Sequence, residues 1–342
     1  MASSIVDENS DILDQAIDEV LSAYIRHLEE RGLPALYCTE QIAELAGVSH
    51  EELVRMINSS RSFYHSFLIP KRSGGSRLIQ APMPSILKVQ RWMLSEILEK
   101  IPIEEVAHGF ERGKSIVTNA RSHVGKRCLL KCDLKDYFPT IELARIVGLF
   151  KSFGFSGSIS NALARLTAVD DALVQGTATS PRISNLIARS LDKRLNALAI
   201  SLNLTYSRYA DDVAFSGASI SLQVSGYIRS IVEAEGFLIN ERKTRLTRGK
   251  GKKIVAGISV GFDKPLVPKK FKRQLRSEVF QLLRDGIAQG STFYKVFDPL
   301  YFDRVVGRIN FVLFVEPDNA YFAEKLKALR TISKEFEKAG IW

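Results

Sequence analysis

Apolar residues recur along this chain with two different periods, and the switches between them outline a series of helices and short strands. Ile12, Leu13, Ile17, Val20, Leu21 and Tyr24 fall at helical spacing and predict an amphipathic helix over 10–31, stopped by Gly32 and Pro34. Thr39 to Leu53 reads as two short helices about Gly47, with Ser49 as N-cap and Glu52 completing a capping box. From Phe67 to Ile79 the pattern becomes a strand, a Gly74-Gly75 turn and a second strand. A helix over 85–100 follows. Residues 128–134 then form an apolar strand that carries Asp133 near its end, and Pro139 with Thr140 open a helix reaching 153. Pro181 opens another helix to about 200, and 204–216 predicts a strand, a tight turn and a strand. A helix over 222–236, a hairpin over 253–268 turning at Asp263-Lys264-Pro265, and a largely helical stretch over 269–342 complete an α+β pattern.

Composition narrows what such a chain does. Its 342 residues are 45% hydrophobic and 25% charged, enough for a large core. No run approaches the roughly 18 apolar residues of a membrane span, and the first residues lack a secretory pattern, so a cytoplasmic protein without membrane contact is expected. Cys38, Cys128 and Cys132 form neither a disulfide set nor a CxxC pair and read as small hydrophobes.

Charge changes the picture more. Residues 1–60 hold three Arg against twelve acids, whereas the whole chain is +10. Between Glu241 and Asp285 stand fourteen Lys and Arg against four acids. Phosphate neutralisation is the commonest reason for that density, and a solvated basic face is the bland alternative. The acidity of the early helical pair argues against insertion into a DNA groove, so a structural pair is the better reading there.

The candidate chemistry lies in three carboxylates. Asp133 ends one apolar strand, and Asp211 with Asp212 occupies the turn between two others. Neighbouring antiparallel strands would bring them together, where they repel one another unless cations neutralise them. Two Mg²⁺ ions roughly 4 Å apart could then activate a hydroxyl and stabilise a leaving oxygen in an in-line phosphoryl displacement. Taken alone, an Ala-Asp-Asp sequence is also an ordinary polar turn.

Tyr209-Ala210-Asp211-Asp212 resembles the YxDD motif of reverse transcriptases, and Asp133 in Asp133-Leu134-Lys135-Asp136-Tyr137-Phe138-Pro139 resembles their upstream metal-binding strand. The resemblance implies Asp133, Asp211 and Asp212 as catalytic metal ligands, helped by the Leu134 carbonyl. It makes Phe138 an aromatic gate against the 2′-hydroxyl of a ribonucleotide. Gln175-Gly176-Thr177-Ala178-Thr179-Ser180-Pro181 resembles the family's QGxxxSP loop, which implies nucleotide contact by Gln175. Lys71 and Arg77 match its triphosphate-gripping fingers hairpin, to which Arg72 also belongs, and Lys243 its pyrophosphate lysine. For Phe138 a plain core aromatic, and for Lys243 a solvated basic face, are the alternatives.

Asn119-Ala120-Arg121-Ser122-His123 resembles the NAxxH element of retron enzymes, and the length fits them better than group II intron enzymes. Their second marker, a VTG triplet, reads Val255-Ala256-Gly257 here. Retron membership implies a right-hand polymerase fold: fingers and palm over 61–260 with a small antiparallel palm sheet, a basic helical thumb over 261–342, and an acidic helical extension over 1–60. It also implies two Mg²⁺ ions, dNTPs, a cognate non-coding RNA (msr-msd) copied from one of its own 2′-hydroxyls into cDNA, and a separate effector protein in phage defence. RNA or primer contacts are expected from Asn119, His123, Val255, Gly257, Lys269, Lys270, Lys272 and Arg273, although a satisfied structural histidine is an equal reading of His123. Two alternatives stay open: another YADD polymerase, of group II intron or abortive-infection type, and an RNA-protein scaffold that restrains an effector.

Overall fold

The computed structural model describes residues 18–71, 74–290 and 300–338, with the side chains of 285–290 and 335–338 left aside. The start of the first helix, Arg72 and the last residues therefore lie outside the described residues. Helix α1 (18–29) leads to α2 (Thr39–Ala46) and α3 (His50–Asn58), which turn about Gly47 in the left-handed region at φ 68°. Ser49 caps α3, its hydroxyl accepting from the Glu52 N–H at 3.2 Å. Leu28, Ile42, Leu53 and Met56 are buried in the main core, so this acidic pair packs as structure.

Strands β1 (Tyr64–Pro70) and β2 (Ser76–Pro82) form an antiparallel hairpin longer than the alternation suggests, with Ile69 facing Arg77 across it. Helix α4 (Pro84–Met93) runs into a π turn over Leu94–Leu98, and α5 (Ile116–Arg121) is capped by Ser115. Next come β3 (Cys128–Asp133), α6 (Leu143–Ser152), α7 (Gly157–Arg165) and the tiny pair β4 (Ala168–Val169) and β5 (Ala172–Leu173). Helix α6 begins later than Pro139 predicts. Asp136 is left-handed at φ 46°, and the Thr140 N–H closes a turn on the Asp136 carbonyl at 3.0 Å, so Pro139 belongs to that turn. The helix expected over 181–200 is two, α8 (Ser180–Ile187) and α9 (Arg189–Ser201), broken at Ala188.

Strands β6 (Thr205–Tyr209) and β7 (Asp212–Gly217), helix α10 (Gln223–Ala234) and strand β8 (Arg245–Arg248) complete the central sheet, in the order β6-β7-β3-β8, all antiparallel. Strand pleating sorts its residues onto two faces. Cys128, Leu130, Cys132, Tyr206, Val213 and Phe215 join the main core, together with α8, α9 and α10 residues. Leu129 and Ala214 point the other way, into a second core made by α5, the pair β9 (Ile254–Val255) and β10 (Ile258–Ser259), and helices α11 (Lys269–Gly290), α12 (Tyr301–Val315) and α13 (Ala320–Lys338). The β9–β10 turn falls at Ala256-Gly257, both left-handed (φ 44° and 84°), rather than only at 263–265. The later reversal also exists: Ser259 and Leu266 exchange backbone bonds of 2.8 and 3.0 Å. Among the described residues no helix is long and apolar enough to cross a membrane.

Candidate active site

Register brings the carboxylates together. Asp133 at the end of β3 stands opposite Asp212 at the start of β7, and Ala210-Asp211 is the two-residue link from Tyr209 to Asp212. The Leu134 N–H donates to the Asp211 carbonyl at 2.9 Å, tying the turn to the strand that bears Asp133. Ala210 adopts φ 56°, an uncommon region for a residue with a Cβ. Its chain is pressed from outside by Gly109, where a Cβ would sit 2.5 Å from the Ala210 nitrogen.

Positive side chains answer the negative ones. Lys243 Nζ lies 2.9 Å from each Asp133 oxygen, and Lys131 Nζ lies 3.6 Å from Asp212. Asn240 donates its backbone N–H to the Asp133 carbonyl at 2.7 Å, placing the segment that carries Lys243 beside β3. Burial, and then the Asp133 charge, raise the Asp211 pKa above the ordinary carboxylate value. The hydrogen bond to Asp133 raises that of Lys243. Among the described residues no three metal-ligating side chains converge tightly enough to cage one ion unaided. Magnesium does not require such a cage, because one or two carboxylates plus substrate phosphates suffice. Three acidic residues, one with a raised pKa and one bound by an ammonium in a cation's place, fit that kind of site.

Arg208 supports the turn from the opposite face of the sheet. It is fully buried, and binds Asp192 through Nε at 2.7 Å and a terminal nitrogen at 2.6 Å. Its other terminal nitrogen donates to Tyr137 Oη, Asn185 Oδ1 and the Ala210 carbonyl at 3.0, 3.0 and 3.1 Å. Asn185 in turn donates to the Gly109 carbonyl at 2.7 Å. Sequence reasoning passed over Arg208, Asp192, Asn185, Gly109, Lys131 and Asn240. The signal for the first was present: period-2 alternation points Arg208 the same way as Tyr206, into the helix-backed core, where a charge demands a buried partner.

The other predicted residues divide. Phe138 is half-buried beside the carboxylate strand, its ring centroid 5.5 Å from Tyr137 and 6.1 Å from Phe110. The Gln175 carbonyl accepts from the Gln80 N–H at 2.8 Å, docking the β1–β2 hairpin against this loop. Gly176 (φ 116°) is required there, since a Cβ would meet the Gln80 oxygen at 2.8 Å. Lys71 and Arg77 are exposed near the hairpin tip. Lys269, Lys270, Arg273 and Gly257 are also exposed.

Four of the residues expected to touch RNA are otherwise engaged. Asn119 and His123 are 1% and 0% exposed. His123 bridges Ser216 at 2.6 Å and Ser207 at 2.7 Å, and Ser207 donates to Asn119 Oδ1, so both His123 nitrogens and the Asn119 side-chain oxygen are spent clamping α5 and the turn after it onto the sheet. Val255 is buried in the second core, because its strand faces α5 and the C-terminal helices. Lys272 binds both oxygens of Glu316 at 2.8 Å, which joins α11 to the end of α12 rather than leaving its charge for a phosphate.

Comparison with known proteins bears on the family of the chain. The family model for reverse transcriptase (RNA-dependent DNA polymerase) matches residues 69–274. The chain is 36% identical over 310 residues to the Retron Mx162 reverse transcriptase of Myxococcus xanthus, an alignment covering 77% of this chain and 64% of that protein. It thus spans just under two thirds of that relative's length. It is 34% identical over 313 residues to the Retron Mx65 reverse transcriptase of the same organism, covering 82% and 73%. A solved telomerase from Candida albicans, in complex with a fragment of telomeric RNA, aligns at 12% identity with a TM-score of 0.45, covering 80% of this chain and 64% of that one.

Proposed function

The chain belongs to the reverse transcriptase (RNA-dependent DNA polymerase) family, among its retron members, and from that premise we propose that it copies a cognate structured RNA into a short cDNA, starting from a 2′-hydroxyl of that RNA. Its fold is the family's right hand, with β1–β2 in the fingers and the β6-β7-β3-β8 sheet as palm. The observation that carries the proposal is the register of Asp133 opposite Asp212, with Asp211 on the connecting turn. Asp133, Asp211 and Asp212 would hold two Mg²⁺ ions, which when bound supply charge neutralisation, an activated 3′- or 2′-hydroxyl and stabilisation of the departing pyrophosphate.

The chain's own residues do the rest. Lys71 and Arg77, exposed on the fingers hairpin, grip the triphosphate of the incoming dNTP, and Gln175 borders the same nucleotide. Phe138 excludes a 2′-hydroxyl by bulk. Lys243 holds Asp133 until substrate arrives, then turns its ammonium to the leaving phosphate. Exposed Lys269, Lys270 and Arg273 follow the RNA backbone. A separate effector protein would complete a defence system, with the acidic N-terminal helices as its docking surface.

The test is direct. Purified with its RNA, dNTPs and Mg²⁺, the wild type is expected to yield a branched RNA–cDNA product and Asp211→Asn none. Equal incorporation by both would overturn the assignment, and a linear product alone would overturn the 2′-hydroxyl start.

A further inference from the structure

Phe110 combines two properties that packing alone does not account for. Its backbone is left-handed at φ 62°, costly for a bulky residue, and its side chain is 45% exposed. A strained residue that buries little must be held by its neighbours, and here both are visible. The preceding Gly109 has its carbonyl fixed by the fully buried Asn185 at 2.7 Å, and its Cα lies so close to the catalytic turn that a Cβ would meet the Ala210 nitrogen at 2.5 Å. The chain thus emerges from between Asn185 and the turn and, through the left-handed residue, delivers one ring. That ring lies 6.1 Å from Phe138, tilted at 58°, within the range of favourable aromatic pairs. Phe138 is held on another side by Tyr137 at 5.5 Å, whose hydroxyl takes a hydrogen bond from Arg208.

We propose that Phe110 is a specificity-determining positioning residue: it buttresses Phe138, so that the pair, rather than Phe138 alone, excludes the 2′-hydroxyl of a ribonucleotide. The inference rests on the reading of Phe138 as the sugar gate. A half-buried phenylalanine with one open flank can turn aside to admit an extra hydroxyl. A second ring on that flank removes the escape route. Phe110 acts through Phe138 and needs no contact with the nucleotide, which explains why its own exposure persists.

The experiment compares single incorporations of dATP and ATP by the full chain bound to its RNA. The variants are Phe138→Ala, Phe110→Gly, Phe110→Tyr and the Phe110→Gly/Phe138→Ala double. Glycine removes the ring while suiting the left-handed backbone. Should it fail to fold, as judged by thermal melting, Phe110→Asn, which also tolerates that backbone, replaces it in both the single and the double variant. Phe138→Ala is expected to raise the ATP to dATP ratio of kcat/KM. Phe110→Gly is expected to raise it in the same direction by between about twofold and tenfold, the worth of one aromatic pair. Phe110→Tyr should keep the wild-type ratio, and the double variant should match Phe138→Ala. An unchanged ratio in Phe138→Ala would overturn the gate itself. A changed ratio there with an unchanged ratio in Phe110→Gly, or with equal losses for the two nucleotides, would overturn the role of Phe110 alone. Additive effects in the double variant would overturn its action through Phe138.

Discussion

Arg208 grips both oxygens of Asp192 in a wholly buried pair, and the same guanidinium reaches the Ala210 carbonyl inside the Tyr209–Asp212 turn. Burial works against the charged guanidinium, but Asp192, Tyr137 and Tyr206 together outweigh it and hold the proton more firmly than in free arginine. Tyr206 adds a hydrogen bond to Asp192 at 2.7 Å. The shape of the turn is thus anchored in helix α9, on the face of the sheet opposite Asp133 and Asp212.

Removing one partner of such a pair strands the other charge in a dry interior. Asp192→Ala is expected to destabilise the protein by about 3–5 kcal/mol, measured by denaturant unfolding. Replacing both residues with apolar ones of similar volume should recover most of that stability yet not the activity, because the Ala210 carbonyl loses its donor. Recovery of wild-type turnover in the double variant would refute this division of labour.

The Asp211 carboxylate is ionised at a cost, set by burial and the neighbouring Asp133. Asp211→Asn keeps the shape and removes the charge. It should melt no lower than wild type without Mg²⁺, while polymerisation falls by about two orders of magnitude or more. A clear drop in Tm would mean that the charge stabilises the fold.

How much of this was legible beforehand follows from which interactions are local. An apolar strand ending in Asp, and a turn bearing two more, showed in the sequence because alternation and composition are properties of neighbours. The register of Asp133 on Asp212 was an expectation that only pairing fixes. Arg208 lay in view, yet its partner is a helical Asp192 and its targets are a tyrosine, an amide and a carbonyl from three other segments. The NAxxH resemblance gives His123 an RNA contact while a satisfied structural histidine is an equal reading, and the second is decided by Ser207 and Ser216 lying on one face of two strands. Pro139 marked a helix start by habit, while the left-handed Asp136 made it part of a turn.

His123 offers a pH test. Burial, then the charges of His108 and Lys126, push its pKa down to about 4, well below the value near 6.5 expected when unfolded. A folded pKa below the unfolded one means stability is present above about 6.5 and lost as pH falls toward 4. The largest loss is roughly 3 kcal/mol. His108, half-buried and also lowered to about 4, adds a share reduced by solvent. Unfolding free energies between pH 6.5 and 5 should decline less steeply for His123→Asn than for wild type. Parallel slopes would exclude a buried neutral His123.

The basic helix α11 separates bound from available charge. Replacing exposed Lys269, Lys270 and Arg273 with Gln is expected to weaken RNA binding and to reduce the slope of log K against log salt by up to about three. Lys272→Gln should leave the slope unchanged and instead cost about 1–3 kcal/mol of stability, because Glu316 loses its ammonium. A filter-binding salt titration reads the first effect and thermal unfolding the second. If Lys272→Gln changed the slope as much as the others, its pairing with Glu316 would not persist on RNA.

Gly109 carries the sharpest steric prediction, since its backbone does not need glycine for conformation. Only space forbids a side chain there: a Cβ would lie 2.5 Å from the Ala210 nitrogen and 3.1 Å from the Tyr209 carbonyl carbon. Those atoms are backbone and cannot rotate away, so Gly109→Ala must shift either the turn or the 106–110 segment. The segment is itself held, by the His108 N–H on the Arg208 carbonyl at 2.8 Å and by Asn185 on the Gly109 carbonyl. The turn is held too, by Arg208 on the Ala210 carbonyl and Leu134 on the Asp211 carbonyl, so the displacement is shared, and Asp211 and Asp212 move with the turn. A displacement of about 1 Å at reacting groups costs roughly a hundredfold in rate. Gly109→Ala should therefore lower kcat by that order while RNA affinity stays within about twofold, because the substitution changes no charge and leaves exposed Lys269, Lys270 and Arg273 in place. Unchanged kcat in a folded Gly109→Ala protein would show that the turn tolerates displacement, and with it that the close approach of this segment has no part in aiming the carboxylates.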